Sequence, residues 1–435
     1  MRFSEAGKRA VSILIPAFLS YMKRSLLSTL AAASAIGAAN ASLYYVQDEA
    51  QESLPLKWTV GVNLTWDDNV NPTAVGIGAD DEALSINPYV GLSFVSITPQ
   101  TTWDIYARVG AIYYFDEPEA TGSEDLYGQA RVGLNFTHRV SERLRFSSRN
   151  HISYELEPDY AYGYSTSRQV GEYLFWQTDN SVGYRWTERL ATYTGFTLSD
   201  LDYDSAVPHS DRFTWTVYNQ FRYQFSPQTV GTLDYRYSET TGNGVASDST
   251  NHYLLVGAEH RFSPNTILIA RVGAQFREVD SVGGSDSTDP YAELTLNSNI
   301  NEQFRVRSFL RYGVEDYDTV VTANGILGPL LTEFDNRQTL RIGVSGEYDL
   351  SPMLSLFGGV DYIMTDYEDG RLASTPLPYG GSPGEDLVNA YIGLSVKFTE
   401  NLFGNVSYNY TDSSSDLPGR EYERNRVNLG VRAEF

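Results

Sequence analysis

Arginine recurs in this chain at alternate positions, with apolar residues between. "EQFRVRSFLRYGVE" sets Arg305, Arg307 and Arg311 on one parity and Phe304, Val306, Leu310 and Tyr312 on the other. Arg143, Arg145 and Arg149 form a second such strip. Arg108, Arg131, Arg271 and Arg341, with Arg426 and Arg432, extend the pattern. A ladder of guanidinium groups along one wall attracts anions and sets up a transverse field. The plainer role is pairing with carboxylates of the same parity: Asp104, Asp234, Glu293, Glu347 and Asp361. Both roles can coexist on one surface.

Other chemistry is sparse. The chain has no Cys, which excludes disulfides, thiolate metal sites and a Cys nucleophile. None of His138, His151, His209, His252 and His260 stands in a recognisable triad pattern, so no enzyme is expected. Asp67 and Asp68 in "WDDN" could touch a divalent cation, but calcium takes about 6–8 oxygens. A turn in which Asp and Asn satisfy the backbone is the simpler reading. No metal and no cofactor is expected. The net charge of −23 repels phosphate, which argues against a nucleic-acid partner.

The elements that would carry such ladders are alternating strands. "KWTVGVNLTW" puts Trp58, Val60, Val62, Leu64 and Trp66 on one face, with Lys57, Thr59, Gly61, Asn63 and Thr65 on the other. "TWDIYARVGAIYYF" and "DLYGQARVGLNFTH" repeat the theme. Hydrophobic residues are only 41% of the chain, yet aromatics reach 13%. The mean hydropathy of −0.33 rules out a bundle of membrane helices. Low hydropathy with many aromatics fits strands in which every second residue meets lipid.

Connections alternate between short and long. Short ones fall near residues 98, 141, 187, 226, 263, 301, 351 and 399, and long Asp/Gly/Ser-rich ones lie between them. Each short turn joins two strands, and one strand is left over at each end. The expectation is an all-β, single transmembrane antiparallel up-and-down barrel of about 18 strands, or 16 if one hairpin is miscounted. Short turns would be periplasmic and long loops outside. The segments 314–336 and 366–386 are the longest loops and candidates to fold inward, although plain surface loops suffice. Backbone groups in hydrocarbon must all be paired, so such a sheet has to close.

The two ends fit an exported barrel. "MKRSLLSTLAAASAIGAANA" has the basic, apolar and A-x-A layout of a signal peptide, placing cleavage after Ala41 within a leader region 1–41 whose true start could be Met22. Residues 42–56 form a short periplasmic segment, and 57–435 the barrel. The closing stretch "NRVNLGVRAEF" alternates to its last residue. Asn428, Gly430 and Phe435 resemble the C-terminal signal read by the barrel assembly machinery, with Ala433 where an aromatic is expected.

"VGVNLTWDDNVNP" (60–72) resembles the first strand and following turn of the β-barrel porin-2 family, carried by Trp66, Asp67, Asp68 and Asn69. The resemblance implies a Gram-negative outer-membrane location and a porin-like barrel. The expected function is a channel for passive diffusion of small hydrophilic solutes through an Arg/Asp/Glu-lined lumen. The alternative is a non-transport barrel acting as a scaffold or an exopolysaccharide-export partner. Its partners are outer-membrane lipid, the assembly machinery and the solutes. Either a homotrimer or a monomer is compatible with the sequence.

Overall fold

The computed structural model describes residues 43, 53–70, 82–115, 125–156, 171–204, 211–242, 248–280, 286–315, 320–325, 328–372, 380–417 and 420–435. His209 and the whole leader region 1–41 lie outside them. The strands in chain order are β1 (Leu54–Asp67), β2 (Ala83–Ile97), β3 (Thr101–Tyr114), β4 (Leu126–Arg139), β5 (Leu144–Glu155) and β6 (Tyr173–Arg185). Then come β7 (Leu190–Tyr203), β8 (Arg212–Ser226), β9 (Thr229–Gly242), β10 (Asp248–Ser263), β11 (Thr266–Asp280) and β12 (Ser287–Asn299). The last are β13 (Phe304–Glu315), β14 (Val320–Gly325), β15 (Gly328–Ser351), β16 (Leu354–Leu372), β17 (Gly384–Lys397), β18 (Leu402–Ser415) and β19 (Tyr422–Glu434).

Each strand of the ring pairs antiparallel with the next one along it, and β19 pairs back onto β1 from Thr59↔Glu434 to Asp67↔Arg426. The sheet therefore closes. Of the 19 strands, β14 stands outside the ring, because β13 pairs directly with β15. The barrel wall has the expected 18 strands. β14 instead pairs with the first residues of β15 as a short arm.

The two candidate inward loops are in large part extended strand. The 314–336 segment contains β14 and the start of β15, and β15 continues to pair with β16 from Thr332↔Leu372 onward. The 366–386 segment begins inside β16 and ends inside β17, with 373–379 outside the described residues. Backbone pairing won over loop composition here, since each added ladder step satisfies another pair of backbone groups.

Side-chain parity sorts as the alternation requires. Val60, Val109, Val256, Val272 and Ile392 are each about half exposed or more on the outer wall. Trp58, Trp66, Trp103 and Trp186 are likewise exposed. Such an exterior would aggregate in water, whereas in lipid it is the favourable surface. The interior is not uniformly polar. Val70 and Leu156, just past the outer ends of β1 and β5, cluster with Ala83, Ile112, Tyr114 and Tyr127 of the inner wall. Leu417, past β18, packs with Phe334 and Tyr367. At the opposite end, Leu43 of the N-terminal segment is buried against Ala191 and Val230.

Several inward tyrosines lie flat over glycines of the neighbouring strand. A Cβ at Gly133 would overlap the Tyr106 ring, and one at Gly61 would overlap Tyr89. Glycine leaves the ring room to lie along the wall rather than point across the lumen.

Candidate functional site: the lumen wall

Two kinds of inner wall face each other across the barrel. On β8 to β15 the wall is ionic and self-paired. Arg222 donates both terminal nitrogens to Glu259 at 2.5 Å, and the two side chains are almost fully buried. Arg222 Nε also donates to the carbonyl of Leu43 at 3.0 Å. Arg271 joins Glu293 at 2.5 Å and Asp234 at 3.6 Å, while Arg236 joins Glu293 at 3.0 Å. Tyr291 donates its hydroxyl to Glu293 at 2.9 Å. Nearer the outer rim, Glu315 takes Arg341 at 2.7 Å and Arg337 at 3.1 Å. Charges removed from water must be compensated in this way, because each lone buried ion is costly.

The other wall, on β16 to β19 and β1 to β5, is built mainly of amides and aromatics around a cavity of about 470 Å³. Asn87 donates to Gln129 Oε1 at 2.9 Å and to the carbonyl of Ala111 at 2.8 Å, and accepts from Arg108 Nη2 at 3.2 Å. Arg426 donates to Asn409 at 3.0 Å, and Asn409 donates to Asn389 at 2.8 Å. Tyr391 and Phe357 complete the lining. Arg131 is held by both oxygens of Glu155 at 2.6 and 2.7 Å. Arg108 differs. It stacks over the Tyr89 ring at 3.8 Å and touches neutral Asn87, and it makes no ion pair among the described residues. Its charge is therefore not cancelled by a contacting carboxylate.

The sequence-predicted lining residues map as follows. Arg108, Arg131, Arg145, Arg149, Arg271, Arg305, Arg307, Arg311 and Arg341 lie in strands on the inward parity. Arg143 sits in the exposed turn between β4 and β5. Arg149 pairs with Asp179 at 3.0 Å and Arg305 with Glu347 at 3.0 Å. Asp104 accepts from Asn135, and Asp361 from Asn389. Arg222, Arg236, Arg337, Glu259 and Glu315 were not anticipated. They share the inward parity, but their partners lie on strands whose register the linear text does not carry. Four histidines bond to hydroxyls across strands, as in Tyr106 with His151 at 2.9 Å and Thr101 with His138 at 2.8 Å.

"WDDN" forms a clasp over the seam. Arg424 of β19 bonds both oxygens of Asp67 through Nε at 3.1 Å, and Oδ2 through Nη2 at 2.5 Å. Asp68 accepts from the backbone N–H and side-chain amide of Asn425, each at 2.6 Å. Asn69 donates to the Glu423 carbonyl at 3.0 Å, and its own N–H meets Asp67 Oδ1 at 3.1 Å. The turn reading was right about the last contact but missed the partner strand. No cluster of three or more potential metal-ligating side chains exists among the described residues. At the other end of the seam, Phe435 and Trp58 exchange backbone hydrogen bonds at 2.8 and 3.0 Å. Asn428 and Gly430 line the inside, and Phe435 is exposed outside.

A closed antiparallel ring with an apolar exterior and a polar, ion-paired inner wall defines a transmembrane β-barrel. The model of the outer membrane protein beta-barrel domain matches residues 268–435, the C-terminal strands of the ring. That match and the apolar exterior make the molecule an outer-membrane β-barrel of Gram-negative type. No curated protein matches the chain. Among solved structures, OccAB4 of Acinetobacter baumannii is 13% identical, with 88% of this chain and 99% of that chain covered and a TM-score of 0.41. OpdK of Pseudomonas aeruginosa with vanillate is 13% identical, covering 87% and 99%, with a TM-score of 0.44. The siderophore receptor PirA of Pseudomonas aeruginosa is 10% identical, covering 89% and 81%, with a TM-score of 0.40. These likenesses are too remote in sequence and in superposition to bear on function.

Proposed function

We propose that the barrel is a porin-like channel for passive diffusion of small hydrophilic solutes. The observation that carries this reading is the cavity of about 470 Å³ on the amide-rich wall, bounded by Asn63, Asn87, Gln129, Asn409 and Asn428. Amide side chains offer both donors and acceptors, so they can replace part of a solute's hydration without holding it tightly. Arg108 contributes the cation that an anionic solute would meet there. The ion pairs of β8 to β15, among them Arg222 with Glu259, Arg271 with Glu293 and Arg341 with Glu315, stiffen the facing wall, and each such pair adds little net field of its own. Phe435 with Asn428 and Gly430 serves as the signal to the barrel assembly machinery. The test is planar-bilayer recording of the purified, folded protein. Stepwise conductance with solute uptake into liposomes is expected, and the absence of both refutes the reading.

A second reading, a scaffold or exopolysaccharide-export partner with a narrowed lumen, draws on one observation. Val70, Leu156, Leu417 and Leu43 all pack inward on the wall rather than out toward solvent. A barrel narrowed in this way gives no conductance while folding normally, and it co-purifies with export proteins.

A further inference from the structure

The outer wall has one region that a lipid-facing surface should not have. On β5 and β6, Ser148, Asn150, Thr178 and Asn180 fall on the outward parity, the same parity as Ile152, Leu174 and Val182, which are exposed. The four side chains form a closed ring of hydrogen bonds. Ser148 donates to Asn180 at 2.8 Å, Asn180 to Thr178 at 2.8 Å, Thr178 to Asn150 at 2.7 Å, and Asn150 back to Ser148 at 3.0 Å. Thr194 of β7 and Asn219 of β8 continue the patch, with Asn219 donating to Thr194. The ring is not at a rim. Phe146 and Val182 flank it toward the short turns, and Ile152 and Trp176 flank it toward the outer loops. At other outward positions stand Leu233, Val256, Val272, Val360, Ile392 and Val406, all well exposed.

Polar groups at this depth are expensive against lipid tails and favourable against another polar surface. The ring satisfies much of its own demand but still presents amides and hydroxyls outward. We propose that this patch on β5 to β8 is where a second copy of this chain packs, patch against patch, about a two-fold axis normal to the membrane. Three features choose that occupant. Amides and hydroxyls both donate and accept, so the surface is complementary to itself, as an isologous contact requires. The patch carries no charge that would call for an ionic partner. Any partner must show polar groups at the same height in the bilayer, and a second copy does so by construction. The area is of the right order: four strands about 4.8 Å apart across a belt about 25 Å tall give about 480 Å² per copy. Two such faces approach the roughly 1,000 Å² expected of a specific interface.

This inference rests on the barrel's being in the membrane and not on its conducting, so conductance is scored separately. The experiment uses the full chain in lipid nanodiscs. Native mass measurement is expected to give two copies for the wild type. The variant S148A/N150L/T178V/N180L should give half that mass while retaining the heat-sensitive gel shift of a folded barrel. Because that variant loses a hydrogen-bonded ring and could fold poorly, a second measurement stands apart from it. The natural sequence has no cysteine, so single cysteines report position directly. Thr178→Cys, Asn180→Cys and Thr194→Cys are probed under mild oxidation, with Val360→Cys on β16 as the far-wall control. A covalent dimer from at least one patch position and none from Val360→Cys supports the proposal. A monomeric wild type, a mass other than two copies, a dimer that survives the quadruple substitution in a folded barrel, or equal cross-linking at both walls overturns it.

Discussion

Removing Asp67 should open the barrel where it closes. Arg424 and Asp67 have side chains only 1% and 7% exposed, and they join the first and last strands of the ring. In Asp67→Ala the guanidinium of Arg424 keeps its burial and loses both carboxylate oxygens. Breaking a buried pair from one side costs about 3–5 kcal/mol. With a urea slope of about 3 kcal/mol/M, the unfolding midpoint falls by about 1–1.7 M. The double variant Asp67→Leu/Arg424→Met removes both charges and fills the space with apolar atoms, so it should recover most of the loss. Urea titration of the barrel in vesicles, followed by tryptophan emission and gel mobility, measures all three proteins. If Asp67→Ala unfolds at the wild-type midpoint, the clasp contributes nothing. If the double variant is less stable than Asp67→Ala, the cost does not come from the buried charge that Asp67 compensates. Either result refutes the argument.

Three further outcomes follow from the inner wall. Arg108→Gln should lower the preference for anions over cations by about threefold, the effect of about one kT of local potential, read from reversal potentials in a salt gradient. Glu259→Gln removes the carboxylate that both terminal nitrogens of buried Arg222 hold and should destabilise the barrel by about 3 kcal/mol, whereas Glu347→Gln on the exposed Arg305 pair should cost under about 1 kcal/mol; urea midpoints of the two variants separate the cases. Gly133→Val drives a side chain into the Tyr106 ring and should cost about 1–3 kcal/mol, with a changed single-channel conductance as the ring is displaced from the wall.

Alternation by itself determined most of the architecture. A period of two from Lys57 to Phe435 fixes which side chains share a face, and eight short turns fix how many strands there are. The alternation of β7 is weak because Tyr193 points inward and Thr194 outward, reversing the usual polarity. The same cause hid the outward ring of Ser148, Asn150, Thr178 and Asn180, which no count of apolar residues locates. Parity also marked Arg271 and Glu293 as inward without saying that they touch. Only the closed sheet decided register, and register decides partners, since a shift of one residue exchanges the two faces. Asp67 and Arg424 show this most plainly. They stand 357 residues apart in the chain and become neighbours only when the last strand returns to the first.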